Sequence, residues 1–159
     1  MTAAVLRVQV TRVRGGDAPL ALPSYMSEHA AGLDLAADLD EPLELAPGAR
    51  ALVPTGLAIA IPPGYEGQVR PRSGRAVAEG LTVLNAPGTI DADYRGEVRV
   101  LVVNLGQATI RVSRGDRIAQ LVVAPVVRMV WDEVPALAPT GRGGGGFGST
   151  GAAGGEPRT

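Results

Sequence analysis

The sequence predicts an all-β domain built from many short strands, with one short helix. Three observations predict it. Apolar and polar residues alternate along several runs, as in Val5–Thr11 and Val98–Asn104. Glycine (22) and proline (13) punctuate the 159 residues at close intervals, as short strands joined by tight turns require. No long segment sustains a helical period.

The length suits one domain with a real core. Apolar residues make up 45% of the chain but aromatics only 3%, so Val, Leu, Ile and Ala must fill that core. In Val5–Thr11, Leu6, Val8 and Val10 point one way and Arg7, Gln9 and Thr11 the other, which reads as a half-buried strand. A loop follows to Tyr25. Ala31–Asp38 places Leu33 and Leu35 on one face and a carboxylate, Asp34, on the other. Leu43–Leu45 is a short strand closed by Pro47-Gly48. Ala51–Ile61 is β-prone, but Pro54 marks an edge or a break in it. Tyr65–Arg70 alternates again after the turn at Pro62–Gly64.

Arg72–Gly80 is the one helix predicted. Ser73 is a suitable N-cap, Ala76–Glu79 favours helix, and Gly80 suits the residue that ends it. Arg72, the Ser73 hydroxyl and backbone N–H groups around Gly74 suit its start to an anion, though the same residues read equally as a capped surface helix. Leu81–Leu84, Val98–Asn104, Thr109–Val112 and Ile118–Val127 read as further strands, with Ser113–Arg117 a turn. Gln120 lies in an apolar run, and its amide needs a partner, either a neighbouring strand or a ligand.

Gly88–Glu97, "GTIDADYRGE", gathers Asp91, Asp93, Tyr94 and Arg95 between two strand-like runs. If it folds as a hairpin, Asp91 faces one side of the ribbon and Tyr94 the other, unless the turn re-aims them. Alone it reads first as a solvated turn, and only the other segments of the chain tip the balance. After Pro139 the chain becomes Gly-rich. Residues 1–139 are expected to form the β-domain and 140–159 a tail that closes as a lid. Arg142 lies among glycines there, and the tail holds the single Phe, Phe147, whose ring suits stacking on a flat ligand.

Formal charges nearly cancel at −1, which points away from a nucleic acid polymer as partner. With no Cys, disulfides and thiolate metal sites are excluded, and a lone His29 excludes poly-His sites and weakens a Ser-His-Asp arrangement. No signal-peptide core or membrane-length apolar run is present, so a soluble cytoplasmic protein with no membrane partner is expected. The remaining inventory is carboxylates, Arg, Ser, Tyr, Gln and a Gly-rich lid. It suits attack by an activated water on a phosphate ester, with a carboxylate base and phosphate-held Mg²⁺.

Five segments, "AGLDLAAD", "RPRSGRA", "VLNAPGTIDADYRGEV", "RGDRIAQLVV" and "GRGGGGFGSTG", stand in this order. In order and content they resemble the five motifs of the homotrimeric dUTPases, over Ala31–Gly151. The resemblance implies a distorted jelly-roll-like β-barrel, a homotrimer with shared active sites, and Mg²⁺-assisted hydrolysis of dUTP to dUMP and pyrophosphate. That activity would limit uracil in DNA and supply dUMP for dTMP synthesis. By the same resemblance, Asp91 activates the water that attacks the α-phosphorus, and Tyr94 packs under the deoxyribose and excludes a 2′-hydroxyl. Asn85 and the backbone of Gly88, Thr89 and Ile90 read the uracil edge, and Arg99 contributes through its main chain. Arg72, Ser73, Gly74 and Gln120 hold phosphates, and Asp34 sits near Mg²⁺ through water. Arg142 clamps the γ-phosphate and Phe147 stacks on uracil. Arg75 stands where family members often carry Leu, and Asp93 is a second carboxylate; neither receives a role. A dCTP deaminase or bifunctional deaminase–diphosphatase of the same fold, and a non-catalytic nucleotide-binding regulator, are the rival readings.

Overall fold

The computed structural model describes residues 5–15 and 18–146. The chain divides into two units, Met1–Val127 and Arg128–Thr159. Among the described residues, all strands and the helix lie in the first: β1 (Gln9–Arg12), β2 (Leu33–Ala36), β3 (Leu43–Leu45), β4 (Arg50–Ala60), β5 (Tyr65–Arg70), α1 (Ser73–Glu79), β6 (Leu81–Val83), β7 (Gly88–Ile90), β8 (Glu97–Asn104), β9 (Ile110–Val112) and β10 (Arg117–Pro125). One four-stranded sheet has the order β1-β4-β8-β6 and another β2-β10-β5-β7, while β3 and β9 form a pair of their own. Every pairing is antiparallel. Both four-stranded sheets and the β3–β9 pair contribute to one aliphatic core, including Leu35, Val69, Ile90, Ile118 and Leu121 from one sheet and Val53, Ile59, Leu81, Val98, Val100 and Val102 from the other. This is the expected all-β jelly roll with one short helix. No helix among the described residues is long and apolar enough to cross a membrane.

Alternation is cleanest in β8, where Val98, Val100 and Val102 are buried and Arg99 is exposed. In β10 it slips. The register shifts between Arg117 and Ala119, so Ile118, Ala119 and Leu121 all face inward and Gln120 turns to the outer face. Pro54 lies inside β4, next to a second shift between Pro54 and Ala58. There β4 has β8 on one side only, because β1 pairs with Leu57–Ala60, so the missing N–H of proline leaves no ladder bond broken on the open side.

Three expectations are corrected. The first strand is Gln9–Arg12, shorter than Val5–Thr11, and all four residues are exposed. It is an edge strand that pairs only with β4. Ser73 is the first helical residue; the N-cap is Arg72, with no side-chain cap hydrogen bond. Gly80 does end the helix, at φ 78° with its N–H donating to the Ala76 carbonyl. The runs flanking "GTIDADYRGE" do pair with each other antiparallel, but the segment between them is not a simple hairpin turn. Leu81–Val83 pairs with β8, while Gly88–Ile90 is a separate strand that pairs with β5 in the other sheet. The chain changes sheets across Leu84–Pro87, where the Ala86–Pro87 peptide is cis.

In the second unit, the described residues 128–146 hold no helix or strand. Thr140–Gly145 forms turns: the Thr140 hydroxyl and carbonyl oxygens both accept from Gly143 N–H, at 3.1 and 3.0 Å.

Candidate active site

On the outer face of the second sheet, register places three polar residues in one row. Asp34 on β2 is opposite Gln120 on β10, and Gln120 is opposite Arg70 on β5. Asp34 points away from the core, as alternation predicts, yet its side chain is only 4% exposed. It is covered by cations rather than water. Arg117 Nη1 donates to Asp34 Oδ2 at 3.0 Å, Arg72 Nη2 lies 3.3 Å from the same oxygen, and Gln120 Nε2 donates to Oδ1 at 3.1 Å. Arg72 also donates to the Arg117 carbonyl at 3.3 Å. The first, second and fourth motifs therefore meet around one buried carboxylate.

The charge count of this cluster decides its chemistry. One carboxylate faces two guanidiniums, and Arg70 stands one strand away, so the surface carries surplus positive charge suited to phosphate oxygens. Ser73 and Gly74 are exposed beside it. Asp34 is a poor direct ligand for a metal cation, since both its oxygens already accept from donors. Among the described residues no group of three or more His, Cys, Asp or Glu side chains could hold a metal ion.

Arg75 is held by carboxylates. It lies 2.6 Å from Glu79 Oε2 one turn along the helix and 3.8 Å from Asp116 Oδ2 in the β9–β10 turn. It ties α1 to that turn. Arg70 and Arg117 are the members of this cluster that sequence reasoning missed. Arg117 stands three residues before Gln120, and only the shift in β10 brings both onto Asp34.

The third motif forms a second group. β7 is an edge strand, so Gly88, Thr89 and Ile90 pair with β5 on one side and present free backbone groups on the other. Asn85 lies against Gly88, where a Cβ would stand 3.1 Å from Asn85 Nδ2. Directly after β7 the chain turns, with Tyr94 N–H donating to the Asp91 carbonyl at 3.1 Å. This turn re-aims both side chains, so strand parity does not govern them. Asp91, Asp93 and Tyr94 are exposed. Tyr94 Oη donates to the Glu97 carbonyl at 3.0 Å. Glu97 in turn accepts from Gly56 N–H at 2.9 Å and pairs with Arg99 Nε at 2.9 Å.

The two groups are apart within one chain. β2 and β7 are the opposite edges of a four-stranded sheet, about 14 Å across at three inter-strand spacings. A cleft of about 260 Å³ beside Asp34 and Arg117 is not lined by Asp91 or Tyr94. In the second unit, Arg142 is exposed and its Nε donates to the Gly145 carbonyl at 2.8 Å. Phe147 lies outside the described residues.

The dUTPase family model matches residues 18–151. The chain belongs to the dUTPase family. It is 64% identical over 144 residues to a deoxyuridine 5'-triphosphate nucleotidohydrolase of Anaeromyxobacter sp. (strain Fw109-5), an alignment covering 91% of this chain and 97% of that one. Among solved structures, this dUTPase is similar to that of Staphylococcus bacteriophage 80alpha with dUPNHPP, with a TM-score of 0.81 and 26% identity over 91% of this chain and 98% of that chain. A point variant of the dUTPase from phage phi11 of S. aureus, described for its coordination of a structural Mg(II) ion, shares the fold with a TM-score of 0.72 and 24% identity, over 82% of this chain and 97% of that chain. As a family member this dUTPase is a dUTP diphosphatase, an enzyme that forms dUMP from dUTP.

Proposed function

We propose that this dUTPase hydrolyses dUTP by in-line attack of a water on the α-phosphorus, with Asp91 as the base and pyrophosphate as leaving group. The observation that carries this reading is the continuity of β7 with the turn after it. An open strand edge leads directly to an exposed carboxylate. Free N–H and C=O groups at Gly88–Ile90, with the Asn85 amide, match the fixed donor and acceptor edge of uracil. Cytosine reverses one of those positions, and a mispaired polar group costs about 1–3 kcal/mol once buried. Tyr94 packs under the deoxyribose where a 2′-hydroxyl would otherwise fit, and Arg99 contributes through its main chain.

The phosphates are assigned to the cationic cluster of the other edge: Arg72, Ser73, Gly74 and Gln120. Mg²⁺ would be held mainly by the substrate phosphates. It would neutralise charge on the phosphate oxygens, and Asp34, whose carboxylate is already held by two guanidiniums, would help hold it through water rather than as a direct ligand. The separation of the two groups within one chain supports a homotrimer in which neighbouring copies complete each site. Residues 140–159 are read as the lid, with Arg142 on the γ-phosphate and Phe147 on uracil, excluding water at closure. The reaction limits uracil in DNA and provides dUMP for dTMP synthesis, acting on the cytoplasmic nucleotide pool.

The test is Asp91→Asn assayed with dUTP and Mg²⁺, alongside nucleotide binding. Loss of a positioned base lowers turnover by about 10²–10⁴-fold with binding retained. An undiminished rate sinks the mechanism. A panel of dUTP, UTP, dTTP and dCTP separates the rivals, since ammonia released from dCTP marks a deaminase.

A further inference from the structure

Gly96 is not explained by backbone conformation. Glycines with φ in the left-handed region are 48, 56, 64, 80, 115 and 143, and Gly96 is not one of them. Space explains it. A Cβ at Gly96 would stand 2.4 Å from Tyr94 Oη, 2.6 Å from Cζ and 3.0 Å from Cε2. These are distances no side chain tolerates without displacing the ring. The tyrosine folds back over its own chain and lies in the gap that the glycine leaves.

The ring is held there from several directions. Its hydroxyl donates to the Glu97 carbonyl at 3.0 Å, and its own N–H donates to the Asp91 carbonyl at 3.1 Å. Arg95 Nη1 donates to the Ala92 and Tyr94 carbonyls at 2.7 and 2.8 Å, bracing the turn from the other side. Glu97 is itself anchored through its carboxylate to Gly56 N–H in β4. The hydroxyl of Tyr94 therefore reports the position of a fixed strand, and only an unsubstituted Gly96 lets it reach that strand. Tyr94 as a whole remains 45% exposed, so it stays within reach of a ligand.

We infer that Gly96 is a positioning residue for sugar discrimination: it forms the socket that fixes the Tyr94 ring, and through the ring it sets the rejection of a 2′-hydroxyl. This rests on the reading that Tyr94 packs against the deoxyribose. A methyl at Gly96 turns the ring away, opens room at C2′ and admits the ribonucleotide.

The experiment measures kcat/KM for dUTP and for UTP in the full chain and in Gly96→Ala, Tyr94→Ala and the double variant, with thermal melts of each. Gly96→Ala lowers the dUTP-to-UTP ratio by about tenfold or more, and in the Tyr94→Ala background it changes the ratio by less than about twofold, because the contact it acts through is gone. If Gly96→Ala alone fails to fold, folding of the double variant supports the clash with the ring, and failure of both overturns the inference. Selectivity lost with Tyr94→Ala but kept in folded Gly96→Ala overturns the positioning role alone. Selectivity kept in Tyr94→Ala overturns the sugar-packing reading and this inference with it. An equal Gly96→Ala loss in both backgrounds shows that the glycine acts on something other than the ring.

Discussion

Asp34 Oδ2 lies 3.0 Å from Arg117 Nη1 and is thereby closed to solvent, although its strand turns that side chain outward from the core. The same oxygen holds Arg72, so one carboxylate aims two cations at the outer face of the sheet. Asp34→Asn keeps the shape and removes the charge. Stability falls by about 1–2 kcal/mol, limited by the partial exposure of both arginines. In steady-state kinetics the KM for dUTP rises as Arg72 loses its orientation. A denaturant titration and a Michaelis curve check the two halves of this expectation.

Asn104 is fully buried at the end of β8, and each part of its amide is used. Its Nδ2 donates to the Leu45 and Ala108 carbonyls at 2.8 Å each, and its Oδ1 accepts from Gly106 N–H at 2.8 Å. Replacement by Ala strands three backbone groups, each costing about 1–3 kcal/mol. Asn104→Ala should lose about 3 kcal/mol or more in urea unfolding, whereas an exposed control such as Gln107→Ala should stay within about 0.5 kcal/mol.

Gly80 and Gly106 meet backbone to backbone. A Cβ on Gly80 would fall 2.2 Å from Gly106 N, and one on Gly106 would fall 2.1 Å from the Glu79 carbonyl oxygen. This contact seats the end of α1 on the β8–β9 loop. Gly106→Ala forces the helix off that loop and costs about 1–3 kcal/mol by overpacking alone. Gly80→Ala adds a left-handed φ of 78° to the same clash, so it is the more destabilising of the two. Paired thermal melts give the order.

Truncation before Thr140 tests the lid. Removing residues 140–159 deletes Arg142 and Phe147 but no strand of the β-domain. The truncated protein is expected to melt close to the full chain while dUTP turnover drops by about tenfold or more, as loss of a closing element does. Unchanged turnover would reduce the Gly-rich segment to a passive tail.

Sequence by itself determined the class of the fold, most strand positions, the single helix with its glycine stop, and the five ordered segments that carry the resemblance to the dUTPases. Each of these is written in local pattern: a period of two, a Gly after a helical run, a short motif of fixed composition. Tertiary structure decided which strands share a sheet. Nothing local shows that Gly88–Ile90 leaves the β6–β8 ladder to join β5 in the other sheet, because either partner satisfies the same alternation. It decided also that Asp34 is covered by Arg72 and Arg117, since burial by long side chains depends on a helix and a turn far away in the chain. The shift in β10 that turns Gln120 outward, and the fold of Tyr94 onto Gly96, are likewise settled by packing, where excluded volume and unpaired hydrogen-bond groups outweigh local preference.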